Sequence, residues 1–248
     1  MPNTHFQFKE FRVEQARSGM KVTTDGCLFG AWVAKEIAEL KSEPKRILDI
    51  GTGTGLLSLM LAQASAFSKI DAIEINAEAF QEASANFSAS AWNQRLQCRH
   101  LSIQKFSEQP YDIIICNPPF FQGSQLGNES NKNDAVHSTF LSAADLLESI
   151  RRLLAKDGIF YLLYPEREMD QFIDLSKKSE LFLNQIVTVK NRSDESVFRK
   201  VAQFGFQIKD CEQRELAIRR EDHKYTDGFW DLIKDYYLEY NNPNASSG

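Results

Sequence analysis

The sequence predicts an open α/β fold in which parallel strands alternate with helices. Residues 113–116, Ile-Ile-Ile-Cys, form a short β-branched run that is typical of a parallel strand buried on both faces. A strand at 45–50 enters a Gly-x-Gly-x-Gly turn, and an apolar helix follows from Leu56 to about Ala66. A strand, a glycine-rich turn and a helix in this order build a nucleotide-binding crevice. A chain of 248 residues fits one such domain with a small extension.

The first 45 residues are predicted to form that extension. Residues 5–15 place phenylalanines and Val13 at alternating positions with one slip, which predicts a strand or hairpin with an irregularity. A helical pattern then runs to about Leu40, and Thr23, Thr24 or Asp25 is suited to cap its start. These three residues have two interpretations: a simple helix start, or a Thr-Asp-Gly turn that lies over a ligand.

The glycine turn has an acid directly ahead of it. Its pattern is Asp49-x-Gly51-x-Gly53-x-Gly55, and glycine lets the backbone approach a ligand closely. A dinucleotide fingerprint that starts at Gly51 would need a third glycine at position 56, where Leu56 stands. A carboxylate here would repel a pyrophosphate, but it suits an amino-acid moiety that carries a cationic amine.

A second strand, residues 69–75, carries Glu74 near its end. An acid about twenty residues beyond such a glycine turn reaches the hydroxyl pair of a ribose; the alternative is a solvated acid at a strand end. A helix at 77–91 and a strand near 96–101 follow. Ser102 and Ile103 then stand where contacts with an adenine would fall.

The strand at 111–116 runs directly into Asn117-Pro118-Pro119-Phe120. The prolines lack N–H groups and hold the preceding residues extended, so a helix cannot close here. The Asn117 side chain and the Pro118 carbonyl are thus predicted to be free acceptors for an NH₂ group at the carboxyl end of a strand. Phe120 adds a face on which a planar ring can stack. The alternative is a turn that only ends the strand.

The rest of the chain continues the α/β pattern and closes with β-rich runs. Residues 121–137 are rich in Gly, Asn and Ser and predict a mobile loop beside the site. Helices are expected at 141–154 and 166–179, with strands at 159–164, 182–190 and 198–208, and the aromatic stretch 225–240 as a docking helix. The predicted organisation is an extension at 1–45, a core domain at 46–240 and a disordered tail at 241–248.

Composition and charge limit the classes of function. The four cysteines form no C-x-x-C pair, and the chain has neither a signal-like start nor an 18-residue apolar run. We therefore expect a cytoplasmic, soluble monomer without a metal site. The net charge is −5, and residues 47–149 hold 5 Lys and Arg against 11 Asp and Glu. Basic residues outside this segment, such as Arg192, Arg199 and Lys200, are the candidates for RNA phosphate contacts.

Together these motifs resemble the class I S-adenosylmethionine-dependent methyltransferases that act on amino groups. The resemblance rests on the Asp-x-Gly-x-Gly-x-Gly turn, Glu74 and the Asn-Pro-Pro-Phe motif, in that order. More narrowly, segments at 6–15, 20–26, 47–57, 117–121 and 225–238 are similar to the bacterial tRNA1(Val) (adenine(37)-N6)-methyltransferases. This implies a Rossmann-like, seven-stranded sheet that is mostly parallel, with helices on both faces and an antiparallel last strand.

The resemblance also implies ligands and roles. The cofactor would be S-adenosylmethionine and the substrate the anticodon loop of a tRNA. Many relatives carry Asp where Ser102 stands here, which puts that adenine contact in doubt. The implied cofactor-binding residues are Thr24, Asp25, Asp49, Gly51, Gly53, Gly55, Glu74, Ser102, Ile103 and Asn117, and the implied catalytic residues are Asn117, Pro118 and Phe120.

Two other functions fit the same motifs. A protein glutamine methyltransferase can hold its substrate amide with the same motif, but such enzymes carry a helical domain ahead of the core, and only about 45 residues precede the first core strand here. A regulator that binds the cofactor without catalysis would be expected to lose Asn117 and Phe120. A small-molecule substrate stays open.

Overall fold

The computed structural model describes residues 4–118 and 141–238. A hairpin of His5–Gln7 (β1) and Arg12–Glu14 (β2) precedes one large sheet. The strands of this sheet are Arg46–Ile50 (β3), Lys69–Glu74 (β4), Leu96–His100 (β5), Tyr111–Cys116 (β6), Leu154–Tyr164 (β7), Phe182–Arg192 (β8), Val197–Gly205 (β9) and Glu212–Arg219 (β10). The helices are Thr24–Ala38 (α1), Leu56–Ala64 (α2), Ala77–Ala89 (α3), Ala143–Leu153 (α4), Glu166–Lys178 (α5) and Asp227–Ile233 (α6).

The strand order in the large sheet is β10-β8-β9-β7-β6-β3-β4-β5. Neighbouring strands are parallel except at β9, which is antiparallel to both β7 and β8. This confirms the Rossmann-like α/β fold with a mostly parallel sheet. In chain order, the antiparallel strand β9 is the seventh strand of this sheet, as expected.

One strand more than expected is present in the part of the chain that the structure describes. β10 pairs in parallel with β8 and extends the sheet to eight strands, so the seventh strand is not the last. β10 has no clear signal in the sequence, because charged residues occupy half of its positions and only Ile218 is fully buried. The last helix is also shorter than predicted: α6 begins after the Thr226 cap and ends at Ile233.

Apolar residues from alternate strand positions fill a core on each face of the sheet. One core packs the sheet against α1, α2, α6 and the N-terminal hairpin, and includes Ile113 and Ile115. The other packs it against α4 and α5 and includes Ile114 and Cys116. β6 is therefore buried on both faces, as its continuous β-branched run predicts. No helix among the described residues is long and apolar enough to cross a membrane.

The N-terminal hairpin packs on the same domain. Phe8 and Phe11 stack in the turn of the hairpin with ring centroids 4.5 Å apart. The side chain of Asn86 on α3 bonds to both backbone groups of Glu14 and donates to the carbonyl of Thr54, at 2.8–3.0 Å. This amide links the hairpin to the glycine turn, so the extension lies beside the predicted crevice. The division of the chain at residue 45 stays a prediction, and the predicted tail at 241–248 lies outside the described residues.

Candidate active site

The predicted site residues gather where β3, β4 and β6 end, which we call the carboxyl edge of the sheet; the end where these strands begin is the amino edge. In the strand register, Ile50 of β3 pairs with Ile73 on one side and Cys116 on the other. The glycine turn, Glu74 and Asn117 therefore follow three neighbouring strand ends. The connection from β3 leads to β4 on one side, and the connection from β5 leads to β6 on the other side of β3. Open α/β sheets bind ligands at such a point.

The glycine turn adopts the left-handed backbone that its sequence requires. Gly51, Gly53 and Gly55 have φ values of +71°, +57° and +85°. A Cβ added at Gly51 or Gly53 would meet no atom within 4 Å, whereas one at Gly55 would lie 2.5 Å from a ring carbon of Phe87. The first two glycines thus leave open space along the turn, and Gly55 is required for packing against α3.

Asp49 lies buried beneath this turn. One carboxylate oxygen accepts hydrogen bonds from the Thr52 and Ser58 hydroxyls at 2.6 and 2.7 Å, and the other, Oδ1, has no partner. Burial raises the pKa of Asp49 from 3.8 to about 6, against the opposing effect of the two hydroxyls. The sequence analysis missed Thr52 and Ser58, although both lie within nine residues of the acid.

Glu74 connects the end of β4 to the glycine turn. Its carboxylate accepts from the backbone N–H of Gly53 at 2.9 Å and from that of Asn76 at 2.8 Å. The Asn76 side chain in turn caps α3. Glu74 is 8% exposed, and an ionised carboxylate has more acceptor sites than these two bonds use. The position is compatible with the predicted ribose contact, which stays a prediction.

The structure gives less support to the adenine contacts predicted for the residues after β5. Ser102 is partly buried, and its side chain makes no capping bond to the 3₁₀ turn that follows, Ile103–Lys105. The Ile103 side chain is 4% exposed and packs into the core. Ile75, which the sequence analysis did not single out, is an apolar side chain 44% exposed directly after Glu74.

The start of α1 forms a second wall of the site. Thr23 caps the helix, because its hydroxyl accepts from the N–H of Gly26 at 3.2 Å, and Thr24 is exposed. The carboxylate of Asp25 is held on both sides: Oδ1 accepts from the N–H of Gly26 at 3.1 Å, and Oδ2 pairs with Nε of Arg199 at 2.9 Å. Thr23 is one of the three residues that the sequence offered as caps, whereas the Arg199 partner of Asp25 has no signal in the sequence.

Asn117 leaves its amide oxygen free, as the sequence analysis expected. Oδ1 is buried and accepts no hydrogen bond from residues 4–118 and 141–238. Nδ2 lies 3.8 Å from the position that a Cβ on Gly26 would occupy, so the amide stands beside the first turn of α1. Pro118 is buried. Phe120 and the predicted loop at 121–137 lie outside the described residues.

The three basic residues named as examples of phosphate contacts each have an acidic partner. Arg192 pairs with Asp194 and Glu195, Lys200 with Glu166 and Asp170, and Arg199 with Asp25. A phosphate contact by any of them would exchange an existing ion pair for a new one. The phosphate contacts stay a prediction.

Other possible sites contain none of these residues. A cavity of about 510 Å³ lies where α4 and α5 lead into the next strands, at the amino edge, and is lined by Ala144, Leu147, Glu148, Arg151, Arg152, Leu175, Lys178 and Ser179. Within the described ranges, no group of three or more His, Cys, Asp or Glu side chains is arranged to hold a metal ion.

Comparison with known proteins adds the family. Residues 34–163 match the family model described as "Methyltransferase small domain". The chain is 40% identical to a tRNA1(Val) (adenine(37)-N6)-methyltransferase of Dyadobacter fermentans, over 96% of this chain and 99% of that protein. It is 38% identical to the protein of the same name from Flavobacterium psychrophilum, over 94% and 99%. A crystal structure of a predicted O-methyltransferase from Agrobacterium tumefaciens superposes with a TM-score of 0.62 at 14% identity, covering 85% of this chain and 95% of that one.

Proposed function

Because the chain belongs to the family of tRNA1(Val) (adenine(37)-N6)-methyltransferases, we propose that it methylates N6 of adenine 37 in tRNA1(Val). The observation that carries the proposal is the amide of Asn117. Its Oδ1 is a buried acceptor without a partner, at the end of the strand that neighbours the glycine turn. A buried unsatisfied oxygen costs about 1–3 kcal/mol, so its retention is explained by a substrate donor that it binds.

The chain depends on S-adenosylmethionine as methyl donor, and the residues at the carboxyl edge fit it. Asp49 keeps one oxygen without a partner, Gly51 and Gly53 leave open space along the turn, and Glu74 offers remaining acceptor capacity at the strand end. Asp49 and the glycines would hold the methionine end, and Glu74 the ribose. When bound, S-adenosylmethionine supplies an electrophilic methyl group on its sulfonium.

Asn117 and Pro118 would activate the amine of adenine. The lone pair of this nitrogen is delocalised into the ring, which makes it a poor nucleophile. The Asn117 side-chain oxygen and the Pro118 carbonyl would each accept a hydrogen bond from one N–H. These two hydrogen bonds would draw the N–H bonds out of the plane of the adenine ring. Both hydrogen bonds strengthen as the nitrogen becomes cationic, so they stabilise the transition state more than the bound substrate.

The remaining parts of the proposal concern the RNA. A base in an anticodon loop must be splayed out before its amine reaches Asn117, and Phe120 would stack on it. A monomer and a cytoplasmic location are the expectations that go with this substrate. Phosphate contacts by basic residues outside the segment 47–149 would make tRNA affinity fall as salt rises.

The experiment offers three classes of substrate to the purified protein with labelled S-adenosylmethionine: bulk unmodified tRNA, total protein and a small-metabolite extract. We expect label in tRNA alone. Asn117→Ala serves as the matched control, since it should bind the cofactor and transfer little label. Label in protein would favour the glutamine methyltransferase, and cofactor binding without any transfer would favour the regulator.

A further inference from the structure

We propose that Arg199 is a positioning residue for methyl transfer: by holding Asp25, it fixes the first turn of α1 against the amide of Asn117. This inference rests on the proposed function and extends it to a residue of β9. Arg199 is 174 residues from Asp25 in sequence. Among the described residues, its side chain bonds to the carboxylate of Asp25 and to the carbonyl of Phe198.

The strand direction brings Arg199 to the carboxyl edge. β9 runs antiparallel to β7 and β8, and its register pairs Arg199 with Val189 and Lys200 with Tyr164. The first residues of β9 therefore lie at the end of the sheet where β7 and β8 finish. Arg199 shares a sheet face with Val201, which packs in the same core as α1. Its side chain is thus on the side of the sheet that α1 covers.

Several contacts restrain the guanidinium of Arg199. Nε pairs with Oδ2 of Asp25 at 2.9 Å, where the two side chains are 19% and 10% exposed. Nη1 donates to the carbonyl of Phe198 at 2.9 Å, and the guanidinium carbon lies 4.2 Å from the centre of the Phe198 ring. Because this pair is largely removed from water, it is screened less by salt than an exposed ion pair.

Asp25 connects Arg199 to the first turn of α1. Its second oxygen accepts from the N–H of Gly26, the group that the Thr23 hydroxyl also accepts from. Gly26 faces Asn117, since a Cβ at Gly26 would lie 3.8 Å from Asn117 Nδ2 and 3.2 Å from Thr23 Oγ1. A shift of this turn would therefore change the wall against which the Asn117 amide rests.

The kinetic consequence follows from how sensitive transfer reactions are to position. A displacement of about 1 Å in a catalytic group can lower a rate by up to about 10²-fold. Removing either partner leaves a mostly buried charge uncompensated, and the turn would then move to resolvate it. A direct phosphate contact by Arg199 predicts a different result: weaker tRNA binding and a shallower dependence on salt, with the transfer step unchanged.

The test compares Arg199→Gln, Asp25→Asn and the double variant by single-turnover methyl transfer at saturating cofactor and tRNA1(Val). We expect each single variant to transfer methyl about 10- to 100-fold more slowly, and the double variant to be no slower than the slower single one. The dissociation constant for tRNA should stay within about threefold of wild type. Arg199→Lys keeps the positive charge but not the planar guanidinium, so it should transfer methyl faster than Arg199→Gln and more slowly than wild type.

Arg46→Gln is the matched control, because Arg46 makes the same two kinds of contact at the amino edge. It pairs with Asp71 at 3.2 Å, with side chains 26% and 14% exposed, and lies 4.4 Å from the centre of the Tyr111 ring. We expect the rate of this variant to stay within about twofold of wild type. An equal loss of rate in Arg46→Gln would overturn the proposal, since the effect would then be one of general stability.

Two further outcomes would overturn it. One is a wild-type transfer rate in Arg199→Gln. The other is an unchanged rate in Asp25→Asn together with weakened tRNA binding in Arg199→Gln, which would assign Arg199 to phosphate. Failure of the proposed function gives a separate result, because the wild-type protein itself would then leave adenine 37 unmethylated.

Discussion

The two ends of β3, β4 and β6 differ in how their polar side chains are hydrogen-bonded. At the amino edge, the carboxylate of Asp112 accepts from the backbone N–H groups of Lys45 and Arg46 at 2.8 and 3.0 Å. Asp71 accepts from the Tyr111 hydroxyl at 2.6 Å and pairs with Arg46. At the carboxyl edge, Asp49 and Asn117 each keep one buried oxygen that accepts no hydrogen bond within the described part of the chain.

This difference separates stability from function along the same strands. A buried acceptor without a donor costs about 1–3 kcal/mol, whereas a matched one contributes about 1 kcal/mol. We therefore infer that the paired groups at the amino ends of these strands stabilise the fold, and that the unpaired acceptors at their carboxyl ends bind ligand groups. Substitutions at the first edge should change the free energy of unfolding, and those at the second should change binding or turnover.

The largest expected effect is that of Asn117→Ala. Removing one preorganised acceptor should lower the methyl-transfer rate by about 10²–10³-fold. Cofactor affinity should stay close to wild type, and stability should not fall, because the lost oxygen accepts no hydrogen bond from the described residues. Asn117→Asp keeps an acceptor and should retain some activity. For both variants, methyl-transfer assays measure the rate and calorimetry measures the cofactor affinity.

Asp112→Ala is the counterpart at the amino edge. It should lower the free energy of unfolding by about 1 kcal/mol, because two backbone N–H groups lose their acceptor, and it should leave the transfer rate unchanged. Equal rate losses in both variants would remove the distinction between the edges.

The second effect concerns pH. Burial raises the pKa of Asp49 from 3.8 to about 6, so between these values the folded protein binds a proton that the unfolded chain releases. The contribution of Asp49 to the free energy of unfolding should thus fall by about 2 kcal/mol as pH rises from about 4 to about 6, which is two thirds of a total of about 3 kcal/mol at 1.36 kcal/mol per pKa unit. Denaturant titrations of wild type and Asp49→Asn measure it, and a difference between them that is independent of pH would contradict it.

Glu74→Ala is expected to weaken S-adenosylmethionine binding by about 1–3 kcal/mol, if its carboxylate accepts the ribose hydroxyls. The variant also releases the N–H of Gly53, which adds to the loss. Asp71→Asn is the control on the same strand, because its side chain bonds at the amino edge. Calorimetry should find its cofactor affinity unchanged; an unchanged affinity in Glu74→Ala would refute the ribose role.

The smallest expected effect separates two glycines of one turn. Both Gly53→Ala and Gly55→Ala place a side chain at positive φ, at a cost of about 1–2 kcal/mol. Gly55→Ala should lose more stability, because its Cβ would overlap Phe87, whereas Gly53→Ala meets no protein atom. A bulky residue at Gly53 should instead weaken cofactor binding. Denaturation measures the stability of the two variants, and calorimetry measures their cofactor affinity. A larger loss of stability in Gly53→Ala than in Gly55→Ala would show that Gly53 is only a packing residue.

The parts of the site that the sequence could predict are those with a local signature. The spacing of the glycines, the acid at the end of β4 and the prolines after β6 each follow from a few consecutive residues, and strand order then brings them together. The Arg199 partner of Asp25 and the Asn86 link between Glu14 and Thr54 have no such signature. They arise from packing between elements distant in sequence, which no spacing or periodicity encodes.

The most direct test of the central claim is to map the methyl group. An unmodified tRNA1(Val) transcript, and the same transcript with guanine at position 37, are incubated with the protein and S-adenosylmethionine, and the nucleosides are identified by mass spectrometry. We predict N6-methyladenosine in the first transcript, none in the second, and about 10²–10³-fold slower formation with Asn117→Ala. Equal methylation of both transcripts, or a wild-type rate with Asn117→Ala, would contradict the assignment of the carboxyl edge to adenine 37.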